Sequence, residues 1–191
     1  NEIDIFLNHG YTYDDHLDIH IPILPVDEYW SILKSKTRNK IRKATGSGMT
    51  IKESHNKKDI ENAYKLLVSV YNRSKLPLAD ISLFLAAVNY LGDKGMLKLF
   101  FAKIKDTIVA CRLELIYKEV IYDWYAGSNS DYNKYNPNDF LPFKIIEWAA
   151  KEGYKLFDFG GAGHPEKPYG VRDHKLKFGG ELKNFGRYEK I

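Results

Sequence analysis

Apolar and polar positions alternate in two short runs near the start of the chain, Ile3-Asp4-Ile5-Phe6-Leu7 and Leu17-Asp18-Ile19-His20-Ile21. A period of two predicts a strand for each. Pro22 and Pro25 close the second run, and beyond them the period lengthens. Asp27 is placed to cap a short helix through Trp30 and Leu33, and a basic helix over 35–44 follows, stopped by Gly46 and Gly48. Met49 to Glu53 reads as a strand. From Lys58 to Ser74, Ile60, Ala63, Tyr64, Leu67, Val70 and Tyr71 fall on one helical face, and from Asp80 to Leu91 a second stripe holds Leu83, Phe84, Ala87, Val88 and Leu91.

The pattern then reverts to strands. Met96–Lys103, Thr107–Tyr117 and Val120–Tyr125 are separated by Lys105-Asp106 and Lys118-Glu119, which predicts an antiparallel meander. Pro137-Asn138-Asp139 opens a helix to Lys151 that buries Phe140, Phe143, Ile146 and Ala149, with Gly153 beyond its end. A strand over 155–159, a helical piece over 173–178 and a strand over 181–188 complete the chain. This order predicts an α+β domain, a mixed and mostly antiparallel sheet covered by helices on both faces. The one boundary it suggests lies near residues 22–27.

Composition narrows the class. With 191 residues, 44% of them apolar and 28% charged, the chain can bury the core of one sizeable domain. No apolar run approaches the roughly 20 residues of a membrane helix, so a cytoplasmic protein is the expectation. The single cysteine, Cys111, excludes an internal disulfide and a thiolate metal cage, and its place in an apolar strand argues against a nucleophile. The six histidines show no metal-ligand spacing, so no metal is expected, and neither a P-loop nor a nucleophile elbow is present. The net charge of +4 is uneven: residues 34–58 carry nine Lys or Arg and one Glu, a balance of +8, which leaves −4 on the rest. Such a segment suggests a local anion site, although a solvated helix face accounts for the same charges.

Within that segment Arg38 and Arg42 share a face one turn apart, and arginine suits bidentate phosphate contacts. Asp158 alternates with Phe157 and Phe159 at a strand end, before Gly160 and Gly161, which allow the backbone to turn and approach a ligand. A carboxylate there could take a proton from an amine or orient a lysine, or equally pair with an arginine or cap the turn. Asn138 opens a helix whose N-terminus offers N–H groups to an anion, and Tyr125 faces either the cleft or the core.

Thr37-Arg38-Asn39-Lys40-Ile41-Arg42-Lys43-Ala44 before Gly48 and a strand, Phe157-Asp158-Phe159-Gly160-Gly161, and Tyr169-Gly170-Val171-Arg172-Asp173-His174-Lys175-Leu176-Lys177-Phe178-Gly179-Gly180 together resemble the Fem-type aminoacyltransferases. Those are two-domain enzymes of the GNAT fold that build peptidoglycan cross-bridges. The resemblance implies a second GNAT domain over 26–191, with 1–25 the tail or remnant of a preceding one. It implies that Arg38 contacts a nucleotide-linked acceptor, that Lys175, with Lys177, meets the phosphates of an aminoacyl-tRNA end, and that Asp158 orients or deprotonates. His174 stands where the family carries Phe. The glycine motif of CoA-dependent members is missing. The implied donor is therefore aminoacyl-tRNA, with acyl-CoA the alternative, and no permanently bound cofactor is expected. The implied acceptor is an amine on a small-molecule or lipid-linked envelope precursor, which allows peripheral membrane contact. Two alternatives stand beside this: a CoA- or carrier-dependent N-acyltransferase of polysaccharide biosynthesis, and a non-catalytic module binding a nucleotide-sugar or RNA.

Overall fold

The computed structural model describes residues 2–54 and 56–190. In chain order the elements are α1 (Glu2–Asn8), β1 (Thr12–Asp14), β2 (Leu17–Pro22), α2 (Val26–Ile32), α3 (Ser35–Gly46), β3 (Met49–Ser54), α4 (Lys57–Ser74) and α5 (Ile81–Ala87). They continue with β4 (Leu97–Ile104), β5 (Thr107–Tyr117), β6 (Val120–Ser128), α6 (Pro137–Lys151), β7 (Leu156–Gly163), α7 (Gly170–Lys175), β8 (Glu181–Asn184) and β9 (Arg187–Glu189). A seven-stranded sheet runs β3-β4-β5-β6-β7-β2-β8, and β1 and β9 form a separate ribbon. All neighbours are antiparallel except β6 and β7, so the sheet is mixed and mostly antiparallel as expected.

The alternation along the central strands builds two cores. Phe100, Ala102 and Ile121 face α2, α3 and α6, where Tyr29, Ile41, Phe140 and Ile146 meet them. Leu99, Phe101, Cys111 and Leu113 face α4 and α5 through Ile60, Ala63, Leu67 and Phe84. Helix α4 is capped as its composition requires: the Asn56 side chain accepts from the Asp59 N–H at 2.8 Å, and the helix stops at Lys75 in the left-handed region. Helix α6 begins with Pro137 at its first position, where a missing N–H costs nothing, and Gly153 follows its end at φ +84°.

Several local expectations are corrected. Ile3 to Leu7 lies in helix α1, not in a strand, and packs through Phe6, whose ring stacks on Tyr188 at 4.7 Å and meets Tyr11 edge-on at 5.5 Å. Asp27 does not cap α2: Pro25 takes the capping position without a side-chain bond, and Asp27 sits in the first turn, where a carboxylate suits the helix dipole. The helix after Asp80 is regular only to Ala87 and widens into a π-helical turn over Val88–Gly92. The last strand is broken at Gly186 into β8 and β9, which join different sheets. Strand β2, on the N-terminal side of the expected boundary, lies between β7 and β8 and puts Leu17, Ile19 and Ile21 into the main core. No helix among the described residues is long and apolar enough to cross a membrane.

Candidate active site

The sheet opens where its one parallel pair ends. β6 and β7 are in register only at Val120–Leu156, Ile121–Phe157 and Tyr122–Asp158, yet β6 continues to Ser128 and β7 to Gly163. Two irregularities sit at the parting: a bulge in β6 between Asp123 and Tyr125 against Glu114 and Leu113 of β5, and Gly160 at φ +69°. A Cβ on Gly160 would meet the Asp123 carbonyl oxygen and the Tyr122 ring at an ordinary contact distance of 3.4 Å, so it is the left-handed φ that favours glycine here.

Asp158 stands beside that turn. As alternation required, Phe157 and Phe159 are fully buried and Asp158 is half-buried on the other side of the strand. Its Oδ1 accepts from the Gly160 N–H at 2.8 Å and its Oδ2 lies 3.6 Å from Nε2 of His20. Burial raises the Asp158 carboxyl above its ordinary value, against the Gly160 N–H and His20, which favour the anion. Lys175, at the end of α7, reaches back under the turn and donates to the carbonyls of Phe159 and Gly161, the latter at 3.0 Å. Burial lowers its ammonium, while Asp123, Asp18 and Asp158 oppose the shift. Asp158, Gly160, Gly161 and Lys175 therefore come together as one unit, with Lys175 holding the glycine turn.

The other expected residues are placed differently. Nη1 of Arg38 donates to the carbonyls of Leu33 at 2.7 Å, Ser31 at 3.0 Å and Trp30 at 3.4 Å, so it closes the C-terminus of α2. Arg42 bonds Asn39 at 3.2 Å and lies over the Trp30 ring at 5.3 Å, about one turn from Arg38 and away from the glycine turn. An open groove of about 600 Å³ on α3 is instead lined by Ser35, Lys36, Asn39, Lys40, Lys43 and, at the mouth of α6, Asn136. Asn138 donates to Ser128 Oγ at 3.0 Å, which ties α6 to the end of β6. Tyr125 packs against Phe84 at 4.8 Å, Trp124 at 5.0 Å and Tyr71 at 5.8 Å, at the edge of the second core. Lys177 is exposed, and its carbonyl accepts from Thr37. His174 is largely buried, its ring 5.6 Å from Phe178, and burial lowers its imidazole, with Arg112 and Lys177 acting in the same sense and Asp139 opposing.

Composition and motif gave no warning of a second group of charges at the parting. Arg112 and Glu114 project from β5, and Asp123 projects from β6 directly opposite Glu114. Arg112 pairs with Asp123, and both Arg112, at 5.1 Å, and Lys175, at 5.3 Å, lie over the Phe159 ring. Arg112 and Glu114 are 6% and 0% exposed. The signal available in the sequence was two charged residues, two apart, inside the otherwise apolar run Ile108 to Ile116: a shared strand face that must be buried. A second missed residue is Arg172, whose guanidinium donates to the carbonyls of Ala162, His164 and Lys167 and so shapes the loop bearing Tyr169 over Gly163. No group of three or more His, Cys, Asp or Glu among the described residues is arranged to hold a metal ion.

Comparison with known proteins places this geometry. The model of the acetyltransferase (GNAT) domain matches residues 33–170, more than half of the chain. Among solved structures, FemX superposes with a TM-score of 0.81 at 16% identity, over 95% of this chain and 66% of its own. L-PGS from Bacillus licheniformis gives 0.70 at 15%, over 98% of this chain and 63% of its own. The C-terminal domain of a putative lysylphosphatidylglycerol synthetase from Agrobacterium fabrum gives 0.66 at 13%, over 97% of this chain and 63% of its own. The chain thus spans less than two thirds of each of these structures, and at such identities the likeness is one of fold. No curated protein matches the sequence. The open parallel pair, the helices on both faces and the matched segment agree, and the chain belongs to the GNAT family of acetyltransferase domains, an acyltransferase family.

Proposed function

We propose that this chain transfers an aminoacyl group from a charged tRNA to an amine of a cell-envelope precursor, on the cytoplasmic side. The observation that carries the reading is the parting of β6 and β7 over a glycine turn held by Lys175, with cations and a half-buried carboxyl at its edge. An acyl ester and an attacking amine can meet there with the backbone of β7 exposed to them. The new C–N bond forms as the ester C–O bond breaks; the amine gives up one proton and the leaving hydroxyl takes one. Asp158 is positioned to accept the amine's proton, and its raised affinity for protons suits a base working toward neutral pH. Lys175 would act through the turn it holds and through its charge, which favours the developing oxyanion. The fold shared with FemX and L-PGS supports an envelope acceptor.

In the α3 groove Lys36 and Lys43 take over the phosphate-binding part expected of Arg38, whose Nη1 is committed to α2, while Lys40 in the same groove is paired with Asp139 at 3.4 Å. In this reading a preceding GNAT-like unit would complete the acceptor site, with residues 1–25 leading from it into this sheet through β2. The test is mass spectrometry of a nucleotide-linked and a lipid-linked muropeptide after incubation with aminoacyl-tRNA or acyl-CoA. A mass gain with aminoacyl-tRNA alone supports the proposal. Gain with acyl-CoA alone replaces the donor, and no gain with either, while a ligand still protects the chain from heat, turns the reading to a binding module.

A further inference from the structure

Four ionisable side chains meet under the parting of β6 and β7, and their charges have to be counted together. Arg112 and Lys175 bring two positive charges, both over the Phe159 ring. Asp123 is paired with Arg112. Glu114 faces Asp123 across the ladder and is fully buried. Among the described residues no N–H or O–H group reaches either oxygen of Glu114, nor Oδ1 of Asp123. If Glu114 ionised as well as Asp123, it would be a fully buried anion with no donor on either oxygen, repelled by the carboxylate it faces. One proton between them removes both difficulties at once: it neutralises one carboxyl and supplies the donor that the facing oxygens lack.

We propose that Glu114 is a positioning residue for this site: as a neutral carboxylic acid it donates to Asp123, keeps Asp123 on Arg112, and leaves the group with one uncompensated positive charge for an anionic ligand. Over these four side chains the sum is two cations, one anion and one neutral acid, hence +1, with Asp18 and Asp158 acting on Lys175 from outside the group. The anionic ligand is the oxyanion formed when an acyl carbonyl is attacked, or a donor phosphate held at the same opening. Burial, with Asp123 next, pushes the Glu114 carboxyl well above its ordinary value, against Arg112 and Lys175, in agreement with the count. The charged and titratable groups facing it are Asp123 on β6, Arg112 on β5 and Lys175 on α7; His174, whose imidazole is lowered by burial, lies within reach of the Arg112 charge.

This inference rests on the acyl-transfer reading for its ligand but not for its proton, and the experiment separates the two. Infrared difference spectra of the intact chain at pH 7 are compared for wild type and E114Q. Calorimetric titration with acetyl-CoA and with an aminoacylated CCA trinucleotide is run from pH 6 to 10 on wild type, E114Q and E114A. The expected results are a protonated-carboxyl band in wild type that E114Q lacks, and an affinity in E114A lower by about tenfold, the size of one lost buried hydrogen bond. E114Q, whose amide also donates without charge, recovers that affinity. Wild-type affinity falls as the pH rises through the ionisation of Glu114, by up to about tenfold per unit, a limb additional to that of Lys175, and E114Q keeps only the Lys175 limb. A missing band in wild type, a band that survives in E114Q, or the same alkaline limb in E114Q overturns the inference. If neither probe binds wild type while the band is present and Glu114-dependent, the acyl-transfer reading and the ligand assigned here fall, and the shared proton stands.

Discussion

Replacing Lys175 by Met tests whether this lysine is mainly a tether or mainly a hand for the ligand. Its ammonium donates to the Phe159 and Gly161 carbonyls and lies 5.3 Å from the Phe159 ring. Methionine fills similar volume and returns nothing to the carbonyls, each of which then costs about 1–3 kcal/mol while buried. Removing a desolvated ammonium offsets part of that, which leaves a net loss of roughly 2–4 kcal/mol. For a chain of this length each kcal/mol moves Tm by about 2–4 °C, so a fall of roughly 10 °C in a thermal melt is expected at pH 7. The pH dependence carries a further sign. The folded-state ammonium titrates below its ordinary 10.5, so between the two values the unfolded chain binds more protons and wild type gains stability as pH rises. Lys175→Met lacks this gain, and the gap between the two proteins widens toward pH 10. Melting curves that superpose at pH 7 would refute the tether and return Lys175 to a free phosphate contact.

Arg38→Met strips the donors from the α2 carbonyls and is expected to cost about 1–2 kcal/mol in urea unfolding; loss of ligand affinity with unchanged stability would contradict its assigned place. Gly180→Ala puts a Cβ 2.6 Å from the His20 carbonyl oxygen at φ +92°, so β2 and β8 must separate, at roughly 2–4 kcal/mol by the same assay. For Glu114→Gln the sign is opposite to that of a lost contact. The folded-state carboxyl is raised, so its favourable contribution is complete below about 4.5 and is lost as pH rises toward the folded value, at about 1.4 kcal/mol per unit. The variant should match wild type at pH 4 and exceed it in Tm at pH 7; equal melting at both would show that Glu114 carries no raised affinity for protons.

The helices and the meander were legible because each buries one continuous stripe, and stripes are a property of spacing. Residues 60, 63, 67 and 71 mark α4 whether or not its partner is known. What spacing could not convey was which strand an edge would find. β2 precedes the helices in sequence, yet it pairs with β7 and β8 from the far end of the chain, and the break at Gly186 sends β9 to β1 instead. The first run, 3–7, alternates like a strand but meets no ladder. At the site the limit was different again. Asp158 and its glycines were visible because a turn leaves a mark in the residue types that can make it. Arg112, Glu114 and Asp123 were not, because each belongs to an ordinary-looking strand and their meeting depends on the register between β5 and β6.

That difference bears on how an anion would be recognised here. Arg38 and Lys175, the two cations most conspicuous in the motifs, give their donors to backbone carbonyls. A cation so placed still exerts its field, but it cannot wrap a phosphate without breaking the structure it supports. Direct contacts are then left to the α3 groove, while Arg112 and Lys175, both over the Phe159 ring, act by their field. Exposed lysines are screened by salt within about 10 Å at 0.1 M, and buried charges are screened far less. A ligand gripped first by α3 and then by the opening should therefore lose association rate steeply with added salt, while the reaction of the bound complex stays nearly unchanged. The two steps are governed by two sets of charges, and only the outer set is in reach of the solvent.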